Sequence, residues 1–186
     1  MARKFTILGH PLAHTISPII HERLFEMDNK SGEYSVSDIP HEELCKKIHD
    51  LNSLDGYNIT IPHKVAIIPF LDKLDETSIR YGAVNCVSVK DGVSTGYNTD
   101  CYGFLRSIKL SGAKLNGKVL QLGCGGVGRM MAIETAMQGG ELTIAVRETS
   151  KYETIPVVEE IKKLAPDANV SITTMENIQG EFDLLI

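Results

Sequence analysis

Short apolar runs alternate along the chain with segments whose apolar residues recur at helical spacing. Residues 5–8 read as a buried strand. Ser17 then opens a helix as a good N-cap, with Pro18 tolerated at the first helical position. Ile20, Leu24 and Met27 of that helix fall at helical spacing. A strand over 34–39, an amphipathic helix over 41–51 and a strand over 54–61, ended by Pro62, are expected next. Short helices over 65–71 and 75–81 follow, then strands 84–89 and 93–97 flanking the turn Lys90-Asp91-Gly92 as a hairpin. A helix over 102–110 closes this half.

After Gly112 the pattern becomes more regular. The spacing predicts a strand over 118–122, a Gly-rich turn, a helix to about Met137 and a strand over 142–146. A helix over 157–164 and strands over 170–174 and 183–186 complete it. Strands alternating with helices imply an α/β fold with a largely parallel sheet in each half. The boundary falls between Asp100 and Asn116, and we divide the chain into residues 1–101 and 102–186. Because the final strand is cut at Ile186, residues beyond it are expected and the second domain is expected to be incomplete.

Composition narrows the function classes. The chain has 186 residues, 42% of them hydrophobic and 23% charged, which suits a packed globular core. A net charge of -5 argues against nucleic acid as the main partner. Cys45, Cys86, Cys101 and Cys124 form no CxxC pair and join no histidine cluster, so reduced thiols and no metal are expected. The apolar run after the first four residues is too short for a signal peptide or a membrane span, which leads us to expect a cytoplasmic protein with no membrane partner.

Gly123, Gly125 and Gly128 match GxGxxG in the stretch Gly123-Cys124-Gly125-Gly126-Val127-Gly128. The match follows a predicted strand and opens a predicted helix, the context a dinucleotide site requires. The first Gly permits the tight turn, the second lets a pyrophosphate approach the backbone, and the third lets helix and strand pack closely. At the end of the next strand Arg147 and Lys151 favour the 2′-phosphate of NADP, whereas Glu148 would repel it. NADP is the expectation, with NAD left open by Glu148.

The first half holds four polar segments that packing alone does not require. Thr15 and Ser17 place two hydroxyls beside a helix start, where a carboxylate could be held, although Ser17 as a plain N-cap is the simpler reading. Thr60 and Lys64 flank a strand end, and a lysine there is more often a solvated surface group than an acid or base. Asn85 and Asp100 sit at strand ends, where both residue types commonly form turns.

In this order, the motifs Gly9…His14-Thr15-Ile16-Ser17-Pro18, Asn58-Ile59-Thr60-Ile61-Pro62-His63-Lys64, Gly82-Ala83-Val84-Asn85, Gly96-Tyr97-Asn98-Thr99-Asp100 and the Gly-rich turn resemble the shikimate dehydrogenase family. The resemblance implies an N-terminal substrate domain followed by a Rossmann-type domain. It implies reversible, NADPH-dependent reduction of 3-dehydroshikimate to shikimate in aromatic amino-acid (chorismate) biosynthesis. It gives Lys64 the catalytic role with Asp100 as partner, and makes Thr15, Ser17, Thr60, Lys64, Asn85 and Asp100 substrate ligands. The cofactor would lie on Gly123, Gly125, Gly126, Val127, Gly128, Arg147 and Lys151. A monomer or homodimer acting on a small molecule is implied. Two residues depart from the family pattern: Thr15 stands where Ser is usual, and Glu148 where Thr is usual. They keep open an NAD-dependent quinate/shikimate dehydrogenase, and a non-catalytic binding module of the same fold is the third reading.

Overall fold

The computed structural model describes residues 2–186. They form two compact units, residues 2–99 and Asp100–Ile186.

In the first unit the elements are β1 (Arg3–Gly9), α1 (Ser17–Met27), β2 (Gly32–Asp38), a 3₁₀ turn running into α2 (Leu44–Asn52), β3 (Gly56–Ile59), α3 (His63–Ala66), β4 (Lys73–Leu74), α4 (Glu76–Tyr81), β5 (Cys86–Lys90) and β6 (Val93–Tyr97). The sheet order is β2-β1-β3-β5-β6-β4. β1 runs parallel to both β2 and β3, while β5 is antiparallel to β3 and β6. The β5–β6 hairpin closes through Asp91 and Gly92, both at positive φ, which matches the right-handed twist of the flanking strands. Leu8, Ile59, Ile67, Val84 and Val87 form the core with Leu44 and Leu51 of α2.

The second unit comprises α5 (Asp100–Ser111), β7 (Lys118–Leu122), α6 (Gly126–Met137), β8 (Glu141–Val146), α7 (Lys151–Leu164), β9 (Val170–Thr174) and β10 (Leu184–Leu185). Its sheet is parallel throughout, in the order β10-β7-β8-β9. Met130, Ile133, Leu142, Ile144 and Ile161 are its largest fully buried apolar side chains.

Three local features differ from the sequence reading. Helix α7 begins at Lys151, not 157, and carries Pro156 inside. The residue whose carbonyl lacks the Pro156 N–H partner, Tyr152, is largely exposed, and Thr154 Oγ1 donates to Ser150 O at 2.9 Å across the preceding turn. The short strand β4 was not anticipated, because two residues carry no readable period. Ser17 is not an N-cap: Ile16 holds the capping position, without a side-chain hydrogen bond.

Candidate active site

Parallel pairing of β1 with β3 brings the C-terminal ends of the two strands together. Thr60 N–H donates to Leu8 O at 2.8 Å, and His10 N–H donates to Ile61 O at 3.0 Å. The loop leaving β1 therefore runs over the end of β3. Gly9 makes this approach feasible, since a Cβ there would lie 2.5 Å from Thr60 Cγ2 and 3.1 Å from Ile61 O. Thr15, Ser17 and Thr60 line one cavity of about 620 Å³ together with His10 and His14. The Thr15 hydroxyl donates to Ser17 Oγ at 3.2 Å, and Ser17 N–H donates to Thr15 Oγ1 at 3.3 Å. With its oxygen accepting from Thr15, Ser17 keeps its own O–H to donate outward. Released from capping, it fits an anion near the start of α1.

A carboxylate that the sequence reading passed over holds this loop. Asp38, the last residue of β2, accepts His10 Nδ1–H at 2.7 Å and Leu12 N–H at 3.0 Å. These bonds, the Leu12 amide foremost, keep its carboxyl below the usual carboxylate range. In Asp38→Asn one oxygen becomes an amide nitrogen that cannot accept either proton. The expected outcome is a KM for a carboxylate substrate raised by roughly tenfold with kcat within about a factor of two. Steady-state kinetics check this, and an unchanged KM would remove the brace from the account.

Lys64 is the second residue of α3, and its carbonyl accepts Val84 N–H at 2.7 Å. That bond ties the turn carrying Lys64 to the residue before Asn85. Asn85 Oδ1 in turn accepts Thr99 N–H at 2.8 Å, and Asn85 Nδ2 donates to Thr99 Oγ1 at 3.0 Å. His63, which the sequence left without a role, is fully buried and donates through Nε2 to Ile39 O at 2.6 Å. It fixes α3 against the end of β2. Asn98 is structural too, donating to Ala83 O while its N–H meets Thr77 Oγ1. Asp100 opens α5, at the head of the second unit.

The Gly-rich turn fits a dinucleotide on its own geometry. Gly123 has φ 91, in the left-handed region that favours glycine. A Cβ at Gly128 would sit 3.1 Å from Gly123 O, so helix and strand approach as GxGxxG requires. Over Gly125 and Gly126 a Cβ would meet nothing within 4 Å, leaving that side of the turn open. A cavity of about 380 Å³ beside it is lined by Gly123, Cys124, Gly125, Arg147, Ser150 and Glu153. Arg147 is thus brought to the turn; Lys151, Glu148, Gly126, Val127 and Gly128 are not among the lining residues. The carboxylate facing this cavity is Glu153, while Glu148 lies exposed in the 3₁₀ turn before α7. Arg129, the nearest cation along α6, is held by Glu160 of α7 in a bidentate pair.

Residues 7–87 match the family model described as the shikimate dehydrogenase substrate binding domain. A shikimate dehydrogenase (NADP(+)) of Staphylococcus aureus strain bovine RF122 / ET3-1 is 38% identical over 98% of this chain and 67% of its own length. The chain belongs to the shikimate dehydrogenase family. The solved shikimate 5-dehydrogenase of Thermus thermophilus in complex with shikimate superposes with a TM-score of 0.85 at 33% identity, covering 98% of this chain and 67% of that one. The quinate dehydrogenase of Corynebacterium glutamicum in complex with NAD gives a TM-score of 0.80 at 28% identity, covering 95% of this chain and 66% of that one. The family fold thus spans both units, an α/β unit with a mostly parallel sheet followed by a Rossmann-like one.

Motif reading missed side chains whose surroundings are set by residues distant in sequence. Asp38 was legible only as a polar end to a predicted strand. Asn58 was quoted inside a motif, but nothing in its neighbours showed that Tyr34 donates to its Oδ1 at 2.8 Å. Glu153 lay inside a predicted loop that is in fact the first turn of α7.

Proposed function

We propose that this protein is an NADP-dependent shikimate dehydrogenase, reducing 3-dehydroshikimate reversibly to shikimate in the chorismate branch of aromatic amino-acid biosynthesis. The observation that carries the reading is the convergence of Thr15, Ser17 and Thr60 on one cavity in a chain of this family. Thr15 and Ser17 hold the substrate carboxylate, and Thr60, Asn85 and Asp100 take its ring hydroxyls. Lys64 is the catalytic residue. As an ammonium it gives a proton to the substrate oxygen as the carbonyl becomes an alkoxide; as an amine it accepts that proton in the oxidative direction. Asp100 holds Lys64 in place. The dinucleotide, when bound, supplies or takes the hydride. Gly123, Gly125, Gly126, Val127 and Gly128 receive its pyrophosphate, with Arg147 and Lys151 on the adenosine phosphate side. The enzyme acts on small molecules in the cytoplasm as a monomer or homodimer, without nucleic acid or membrane. Among the described residues no helix is long and apolar enough to cross a membrane.

A second reading, an NAD-dependent quinate/shikimate dehydrogenase, is favoured by Glu153 beside Arg147 in the nucleotide cavity and by Thr15 in the carboxylate loop. Comparing kcat/KM for shikimate and quinate with each cofactor separates them. The first reading predicts the highest value for shikimate with NADP. A preference for quinate with NAD would replace it by the second, and binding of shikimate without turnover would leave only a binding module.

A further inference from the structure

The strand β7 lies between β10 and β8 in a parallel sheet. Such strands read as near-continuous apolar runs, because both faces are covered. Gln121 breaks that rule: it is 1% exposed between Leu120 and Leu122. A buried polar side chain in such a run calls for an explanation, because hydrogen bonds must offset its desolvation. Its Nε2 donates to Gly123 O at 2.8 Å and to Gly128 O at 2.8 Å. Those carbonyls belong to the first and last glycines of the Gly-rich turn. Its Oε1 is buried without a hydrogen-bond partner, so the side chain accepts an unsatisfied acceptor to make these two bonds.

Geometry gives the bonds a function. A trans peptide is planar, and its C=O and N–H point in opposite directions. With Gly123 O drawn down to Gln121, the Cys124 N–H is turned away from the strand. Gly123 N–H meanwhile donates to Ala145 O at 2.8 Å, so the peptides on both sides of Gly123 are pinned. Gly128 O, at the far end of the turn, is pulled to the same nitrogen. The close contact across the turn, with Gly128 facing Gly123 O and Gln121 Nε2, lies directly over this junction. One amide group therefore ties both ends of the turn to the strand beneath it.

We propose that Gln121 is a positioning residue for the dinucleotide: it clamps the turn from below and sets its outward amides before the pyrophosphate arrives. Preorganisation of this kind raises affinity because the turn need not be ordered on binding. The inference rests on the proposed cofactor site, and the test separates the two.

Gln121→Met keeps length and approximate volume but removes both donors. In the ligand-free protein, amide hydrogen exchange of residues 123–128 is expected to quicken by about tenfold or more, the rest of β7 and α6 being unchanged. The Kd for NADP(H), measured by nucleotide fluorescence, is expected to rise by about tenfold, while shikimate affinity stays within about a factor of two. Gln121→Glu, whose buried carboxyl is kept protonated, retains one donor where Gln has two and is expected to weaken nucleotide binding less than Gln121→Met. Unchanged exchange in the turn would overturn the clamp. Faster exchange with unchanged nucleotide affinity would overturn the positioning role. Loss of shikimate and nucleotide affinity together, with exchange quickened throughout the second unit, would make Gln121 a packing residue and overturn the proposal. Were the wild-type protein to bind neither nucleotide, the cofactor reading would fail, and the exchange arm would still decide whether the clamp exists.

Discussion

Replacing Lys64 with alanine is expected to lower kcat by about 10²-fold or more, the usual size of a general acid's contribution. The substitution removes the only atom assigned to move the proton. It leaves the backbone bond from Val84 N–H to Lys64 O, which needs no side chain, so the turn leading to Asn85 should persist. KM for shikimate should change much less than kcat, because Thr15, Ser17 and Thr60 remain. Lys64→Arg should recover little, since a guanidinium stays protonated and cannot exchange a proton near neutral pH. Steady-state kinetics in both directions check this. Near-normal kcat in Lys64→Ala would take the proton-transfer role away from Lys64.

The largest expected effect on stability is at Asp75. Its carboxylate caps α4 by accepting Ser78 N–H at 2.8 Å, and it also accepts the Thr77 hydroxyl at 2.8 Å. From there the network runs into the sheet: Asn98 N–H donates to Thr77 Oγ1 at 2.9 Å, and Ser78 Oγ donates to Gly96 O at 3.0 Å. Thr77, Ser78 and Asn98 are all buried, so removing the carboxylate strands donors that water cannot reach. Asp75→Ala is expected to cost about 2–4 kcal/mol, a cap plus unsatisfied buried donors. Tm should fall by roughly 10 °C or more for a unit of this size. A loss under about 1 kcal/mol would show that the network is not cooperative.

Acid gives the same site a second signature. Burial alone would raise the Asp75 carboxyl, but the bonds from Ser78 and Thr77 outweigh it and leave the group below the usual carboxylate range. A folded-state pKa below the unfolded one contributes stability that is present above the unfolded value and lost as pH falls through the folded value. Asp72 behaves likewise, held down by the Ser94 N–H and hydroxyl. Stability should therefore decline as pH drops below about 4, and less steeply in Asp75→Ala.

Much of the fold was readable because its signals are local. The Asp91-Gly92 turn, the Gly-rich turn between β7 and α6, and the parallel βα alternation each lie within a short window. The start of α7 was not readable, because Pro156 looks like a helix boundary until the turn at Glu148–Ser150 is seen to begin the helix earlier. The site divides in the same way. Thr15, Ser17, Thr60, Lys64 and Asn85 stood out as ordered motifs. Asp38, Asp75 and Gln121 did not, because what each holds is fixed by tertiary contacts: Asp38 and His10 are 28 residues apart. Ser17 shows the reverse case, a residue whose local signal pointed to capping while its hydroxyl joins Thr15 at the cavity.

The most direct test is to supply the purified gene product with shikimate and NADP⁺ and to follow NADPH absorbance while assaying 3-dehydroshikimate. An NADP-dependent shikimate dehydrogenase should give both products in equal amounts, run in reverse when 3-dehydroshikimate and NADPH are supplied instead, and lose both directions in Lys64→Ala. A wild-type protein that binds shikimate yet forms neither product with NADP⁺ or NAD⁺ would contradict this function.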